Sequence, residues 1–182
     1  MLGGWDEALF RWINGGWASP ALDPVFWFFS LGIKGWFLRI ALAALGLFLL
    51  FYRSSTRITV IASIVAVVLA NEICDLAKWL HFAARPAAVL DDVRVLGNLL
   101  TSSGTFSAHS ANMAAVAAVF WWRLGWKWGL SWALVALLTG LSRVYVGAHF
   151  PSQVMLGWMA GALCGVLVAW VVRRIVQKHR RS

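Results

Sequence analysis

Residues 58–78 read ITVIASIVAVVLANEICDLAK, an almost unbroken apolar run that closes on Lys78. Crossing a bilayer core takes about 20 apolar residues in a helix, and this run has that length. Working outward, segments 36–52, 108–122, 129–144 and 152–172 share its character. The 108–122 and 129–144 segments are short, with polar residues at their outer ends, which places those ends in a water-filled recess. Of the 182 residues, 61% are hydrophobic and 13% charged, against about 45–50% apolar and about 25% charged in a soluble domain. A soluble globule of this length cannot hide so much apolar surface. Thirteen Trp and eleven Phe also suit membrane interfaces. These features predict an all-α integral membrane helix bundle in a single domain, residues 1–182, with about five transmembrane helices.

The first 35 residues read differently. Leu2, Trp5, Leu9, Trp12 and Ile13 form one apolar helical face, with Asp6, Glu7 and Arg11 opposite. This pattern predicts a helix lying in the membrane surface. After Asn14-Gly15-Gly16, Asp23-Pro24 reads as an N-cap followed by a first-turn proline. The helix it starts, ending near Ile33, would be only about 15 Å long. Two short interfacial or re-entrant helices over 1–35 therefore precede the motif-bearing bundle, 36–172, and a basic tail, 173–182; six spans are the alternative. Asp6 and Glu7 stand where a signal peptide would carry positive charge.

The formal charge is +9, but the basic residues fall in clusters between apolar runs, not in the surface stripe that nucleic acid requires. With five spans, Arg53, Arg57, Arg123, Lys127 and the cluster Arg173, Arg174, Lys178, Arg180, Arg181 share one side. Arg11, Lys34, Arg39 and Arg94 share the other with Lys78, Arg85 and Arg143. The first side is expected to be cytoplasmic. Cys74 and Cys164 sit inside apolar stretches and read as small core fillers.

Ionisable residues beside spans are expensive and point to function. Here they gather at one surface: Lys78 and Arg85 after the second span, Ser107 and His109 opening the third, Ser142-Arg143 closing the fourth, and His149 before the fifth. Cations surrounding a phosphate, one neutral imidazole as nucleophile and a second as acid make a set suited to phosphoryl transfer. Two histidines without nearby carboxylates or cysteines make a poor metal site, so no cofactor is called for.

The spacing carries a resemblance. Lys78-Trp-Leu-His-Phe-Ala-Ala-Arg85-Pro86 resembles the first signature of the type 2 phosphatidic acid phosphatase superfamily, Lys, six residues, Arg-Pro. Ser107-Ala108-His109 is similar to its second, Pro-Ser-Gly-His. Ser142-Arg143-Val-Tyr-Val-Gly-Ala-His149 is similar to its third, Ser-Arg, five residues, His. The resemblance covers roughly residues 36–172. It implies that His149 is the nucleophile forming a phosphohistidine and that His109 protonates the leaving group. Lys78, Arg85 and Arg143 would then hold the phosphate, with Ser107 and backbone N–H groups near Ala108. It implies further that no metal is used and that vanadate inhibits. Three departures stand out: Phe106 for Pro, Ala108 for Gly, and Gln153 where Asp commonly accepts from the nucleophile's other ring nitrogen. Gln153 can hold the tautomer without supplying charge, and His149-Phe-Pro-Ser-Gln153 resembles the His-Phe-Pro-x-Gln of glucose-6-phosphatase catalytic subunits.

Several neighbours have plainer readings. Asp75 lies one turn before Lys78 and is expected to pair with it. His81 reads as interfacial, Asp91 and Asp92 as solvated, Tyr145 and Trp79 as aromatic-belt residues, His179 as part of the tail, and Ser142 as a cap. Glu72 is placed for a buried contact to Asn112 or Arg143. The apolar loop from Val89 to Leu100 is a guide for a lipid tail. The expected function is hydrolysis of a lipid phosphate or diphosphate at the extracytoplasmic face of a bacterial inner membrane, undecaprenyl diphosphate first. Phosphatidic acid, phosphatidylglycerol phosphate, lipid A 1-phosphate and a phosphotransferase follow. An inactive lipid-phosphate binder or transporter is the reading from another class. Expected partners are the substrate and membrane lipids, with no nucleic acid; the sequence sets no oligomeric state.

Overall fold

Apolar runs without internal proline set the helices. The computed structural model describes residues 3–32, 35–98 and 102–179. Leu2, Ile33, Lys34, Leu99, Leu100, Arg180 and Arg181, which enter the expectations above, lie outside them. The helices are α1 (Gly3–Asn14), α2 (Asp23–Leu31), α3 (Trp36–Tyr52), α4 (Ser54–Leu80), α5 (Ala108–Leu124), α6 (Trp126–Tyr145) and α7 (Pro151–His179). Among the described residues there is no strand. The 27-residue α4 and the 29-residue α7 are long and apolar enough to cross a membrane; at 1.5 Å per residue each exceeds the hydrocarbon core of about 30 Å. The part of the tail expected to begin at 173 continues α7 to His179, because nothing from 173 to 179 breaks a helix.

Helix α5 is central, packed on α4, α6 and α7. Its tightest seam is with α7, where Gly157, Gly161 and Gly165 recur every four residues. A Cβ at Gly161 would lie 2.0 Å from the Ala111 carbonyl oxygen, and one at Gly165 would lie 2.5 Å from that of Ala115. Without a hydrophobic drive between helices in lipid, such close backbone approach supplies the packing. Ala62, Ala66, Ala70, Cys74, Ala111, Ala115 and Cys164 fill the same core. Both cysteines are free and buried, as small core fillers.

Helix α1 rests on the bundle through residues from both sides of its apolar stripe. Asp6, Phe10, Ile13 and Asn14 are buried, while Trp5 and Trp12 are at least half exposed. The reason is polar. Asp6 accepts from the Ser152 backbone N–H at 2.9 Å and from the Ser152 hydroxyl at 2.5 Å, capping the first turn of α7. Asn14 donates from Nδ2 to the carbonyls of Arg94 and Tyr145, each at 2.8 Å. Asp23 is likewise not an N-cap. The cap of α2 is Leu22, with helical backbone and no side-chain bond. Asp23 instead receives Arg94 Nη2 at 2.5 Å and the Tyr145 hydroxyl at 2.6 Å. Both helices are thereby tied to the end of the bundle that carries the motifs.

Candidate active site

His149 lies in the short connection between α6 and α7. The turn is closed by Ala148 and His149 N–H groups donating to the Arg143 carbonyl, at 3.0 and 3.1 Å. It needs Gly147 at φ +79°, where a Cβ would also meet the Arg94 carbonyl oxygen at 2.7 Å. The imidazole is 3% exposed. Its Nε2 lies 3.0 Å from Arg85 Nη1. A guanidinium only donates, so Nε2 carries the lone pair and the ring proton is on Nδ1. That proton is donated to Gln153 Oε1 at 3.0 Å.

The Gln153 amide has one orientation available. Its oxygen also accepts the Phe150 N–H at 3.2 Å, and its Nε2 donates to the Ala84 carbonyl at 2.9 Å. Reversing it would leave two donors facing an NH2 group and two carbonyl oxygens facing each other. Gln153 therefore holds the tautomer that leaves Nε2 unprotonated. Burial first, then the charges of Arg85 and Arg143 and that of His109, hold His149 well below the usual imidazole range. The bond to Gln153 pulls the other way.

Arg85 precedes Pro86, which drives its backbone extended. All five of its N–H donors are spent. Nε donates to the Ser102 carbonyl at 2.7 Å, Nη1 to the Ala148 carbonyl at 2.8 Å and to His149, and Nη2 to the Ser102 hydroxyl and the Ser103 carbonyl, each at 3.1 Å. Its burial favours the neutral form and lowers its pKa. Ser102, Ser103, Gly104 and Thr105 carried no signal that marked them; only a Ser/Gly-rich turn before Ser107 pointed there. Gly104 is squeezed between the two key side chains, with a Cβ 2.8 Å from both amide atoms of Gln153 and 3.0 Å from Arg85 Cγ. Gly104→Ala is expected to lower phosphate release about 10²-fold through misplaced groups and to destabilise by about 1–3 kcal/mol. Assay and thermal unfolding of the same preparation check it.

The remaining predicted residues divide. Arg143 is buried at the end of α6, its Nη1 on the Ser30 hydroxyl at 2.5 Å. Arg85 and Arg143 line one cavity of about 360 Å³, roofed by Trp27 and Leu31 of α2 and by residues 95–98. Ser107 precedes α5, fully buried; its Oγ accepts from the Ser110 hydroxyl at 2.9 Å and its N–H donates to the Gln153 carbonyl at 3.0 Å. Ala108 and His109 open α5, both partly buried, and His109 is near enough for its charge to act on His149. Lys78 is engaged with Asp75, Nζ to Oδ1 at 2.7 Å, as the one-turn spacing predicts. Ser142 is no cap: it is buried within α6 and donates to the Thr139 carbonyl at 2.6 Å.

Three plainer expectations are corrected. Tyr145 is no belt residue but fully buried, stacked on Phe26 at 4.4 Å between ring centroids. Asp92 is exposed, as expected, and there pairs with Arg11, which holds its carboxyl low. Glu72 is exposed, and Arg143 reaches Ser30 instead of it, because Glu72 lies on the face of α4 opposite Cys74. Leu90, Val93 and Leu96 pack inward on the core, since Arg11, Asn14 and Asp23 pin the 92–94 stretch from outside. That part of the loop is not free to guide a lipid tail. Trp79 and His81 are exposed, as expected.

A neutral imidazole aimed through one nitrogen, beside two buried guanidiniums at one end of a helical bundle, is equipment for phosphoryl transfer at a membrane. The chain belongs to the PAP2 superfamily, whose family model matches residues 59–177. It is an enzyme of the lipid-phosphate phosphatase class, as the three motifs imply. The bacitracin transport permease protein BcrC of Bacillus licheniformis is 26% identical over 175 residues, 94% of this chain and 82% of its own. LpxE of Aquifex aeolicus superposes with a TM-score of 0.77 at 28% identity, over 92% of this chain and 96% of its own. A transmembrane PAP2-type phosphatidylglycerolphosphate phosphatase of Bacillus subtilis shares the fold, with a TM-score of 0.64 at 24% identity, over 95% of this chain and 85% of its own.

Proposed function

We propose that all 182 residues form one membrane-embedded unit that hydrolyses a lipid phosphate or diphosphate at the extracytoplasmic face of a bacterial inner membrane. In this reading α3–α7 are the five spans, and α1 and α2 lie at the outer surface. His149 Nε2 attacks phosphorus as the bond to the leaving lipid oxygen breaks, and His109 donates a proton to that oxygen. Water, deprotonated by His109, then attacks the phosphohistidine. The P–N bond breaks, inorganic phosphate leaves and the lone pair returns to Nε2. Arg85, Arg143, Lys78, Ser107 and the N–H groups around Ala108 stabilise the equatorial oxygens. The incoming phosphate takes over the Arg85 Nη1 donor and so frees Nε2.

The observation that carries this reading is the Arg85–His149–Gln153 chain, which leaves one nitrogen of a neutral imidazole as the nucleophile. The substrate ranked first is undecaprenyl diphosphate. The 360 Å³ cavity is small for a ligand pocket, about 300–1,000 Å³. Arg85 and Arg143 line it, although the His149 ring does not, and its size suits a phosphate or diphosphate head whose chain stays in the bilayer. Phosphatidic acid, phosphatidylglycerol phosphate and lipid A 1-phosphate are the alternatives. The test is phosphate release by detergent-purified protein from a panel of these lipids in EDTA, ranked by kcat/KM. Release is expected, fastest from the diphosphate. Vanadate-stabilised protein that releases nothing would support the binding or transport reading instead.

The acid limb of kcat/KM is expected well below pH 6.5, because a depressed His149 pKa keeps the nucleophile neutral there. The sign is the same for stability: the unfolded chain binds this proton first, so folding weakens as pH falls through the unfolded value, about 6.5. Gln153→Glu places a negative charge on Nδ1–H and raises the His149 pKa. The acid limb should move to higher pH; an unmoved profile would mean that this pair does not set it.

A further inference from the structure

Arg143 and Ser30 meet across 113 residues, in a part of the chain whose sequence signals only a surface helix. Ser30 is fully buried in the last turn of α2. Its hydroxyl accepts Arg143 Nη1 at 2.5 Å, and its carbonyl lies 3.4 Å from the same nitrogen. Arg143 Nε is buried without a hydrogen-bond partner. Arg85 has no such spare donor, and the two guanidiniums line one cavity, where like charges repel. We propose that Ser30 is a positioning residue for the phosphoryl-transfer reaction: it holds Arg143 by Nη1, so that the unpartnered edge of the guanidinium is presented to the substrate phosphate.

This inference rests on the proposed phosphatase reading. Without the Ser30 hydroxyl, the remaining contact is the 3.4 Å carbonyl, and repulsion from Arg85 lets the guanidinium leave its aim. Helix α2 is then part of the reaction apparatus, fixed at its other end by Asp23 on Arg94 and Tyr145.

Wild type, Ser30→Ala, Ser30→Thr, Arg143→Lys and the Ser30→Ala/Arg143→Lys double variant are compared as full-length protein. The readouts are phosphate release and orthovanadate affinity by thermal shift. Ser30→Ala is expected to lower kcat about tenfold with KM changed less than twofold, and to weaken vanadate about tenfold. Ser30→Thr, which keeps the hydroxyl, should recover most of both. In the Arg143→Lys background Ser30→Ala should cost little more, since coupled residues are non-additive. A lower melting temperature with unchanged kcat and vanadate affinity, or full additivity with Arg143→Lys, overturns the inference. If wild type releases no phosphate yet binds vanadate, the phosphatase reading fails, and the vanadate comparison decides the role of Ser30 alone. Absence of both activities sinks both.

Discussion

His149→Ala is expected to abolish phosphate release, by at least about 10⁴-fold in kcat, or roughly 5.5 kcal/mol of transition-state free energy. Loss of a nucleophile that works with a partner base costs about 10⁶ in a serine protease. The scale carries over because the His149 imidazole is buried with Nε2 as its lone-pair nitrogen, held by Arg85 on one side and Gln153 on the other. Arg85 Nη1 and Gln153 Oε1 converge on the two nitrogens of this one ring. The variant leaves one Arg85 Nη1 hydrogen without its partner, while Gln153 Oε1 keeps the Phe150 N–H, so some stability should be lost as well, about 1–3 kcal/mol. A second readout separates chemistry from folding. Brief incubation of wild type with a radiolabelled lipid phosphate should leave an acid-labile, alkali-stable label on the protein, and His149→Ala should leave none. A variant that retained label would move the nucleophile elsewhere.

Arg85→Lys is expected to lower kcat/KM about 10³-fold, roughly 4 kcal/mol, although the charge is kept. An ammonium is a point charge with three donors, whereas the guanidinium is a planar fork with five. Each of those five has a partner here, three of them backbone carbonyls, of Ser102, Ser103 and Ala148. Lysine cannot reach all of them, and a buried carbonyl left bare costs about 1–3 kcal/mol. The melting temperature should therefore fall together with activity. Arg85 also covers His149 Nε2 in the absence of substrate. A lysine would release that nitrogen earlier, which predicts that KM changes less than kcat. Equal activity in the Lys variant would reduce Arg85 to a source of positive potential.

The apolar runs and the three motifs were legible in the sequence because they are local. A helix that crosses a bilayer is written in consecutive residues, since lipid demands that its backbone be satisfied within itself. A motif at a helix end is likewise a spacing along the chain, so Lys78, Arg85, Ser107, His109, Arg143 and His149 could be picked out by number, and Asp75 with Lys78 by the one-turn rule. What the spacing could not supply was orientation. Gln153 read as a neutral stand-in that works only if its amide faces one way. The Phe150 N–H and the Ala84 carbonyl, from two separate segments, decide that.

The same limit explains the errors. The pattern of α1 showed an apolar stripe, but not that Asp6 on its polar side caps α7 across 146 residues. Asp23 looked like a cap because Asp-Pro opens helices, yet Arg94 and Tyr145 outbid its own backbone. Ser30 carries no signature, since its contact is made 113 residues away, and Gly104 carries only that of a Ser/Gly-rich turn, since what matters there is the lack of a side chain. By itself, the sequence determined a helical membrane protein with the three PAP2-like motifs placed at one end of its spans, because bilayer energetics and helix periodicity act on neighbours in the chain. Only the tertiary structure decided which nitrogen of His149 is unprotonated, what holds each guanidinium, and that α2 covers the cavity beside Arg85 and Arg143. Those outcomes depend on groups far apart in sequence, whose hydrogen bonds exist only after the helices have packed.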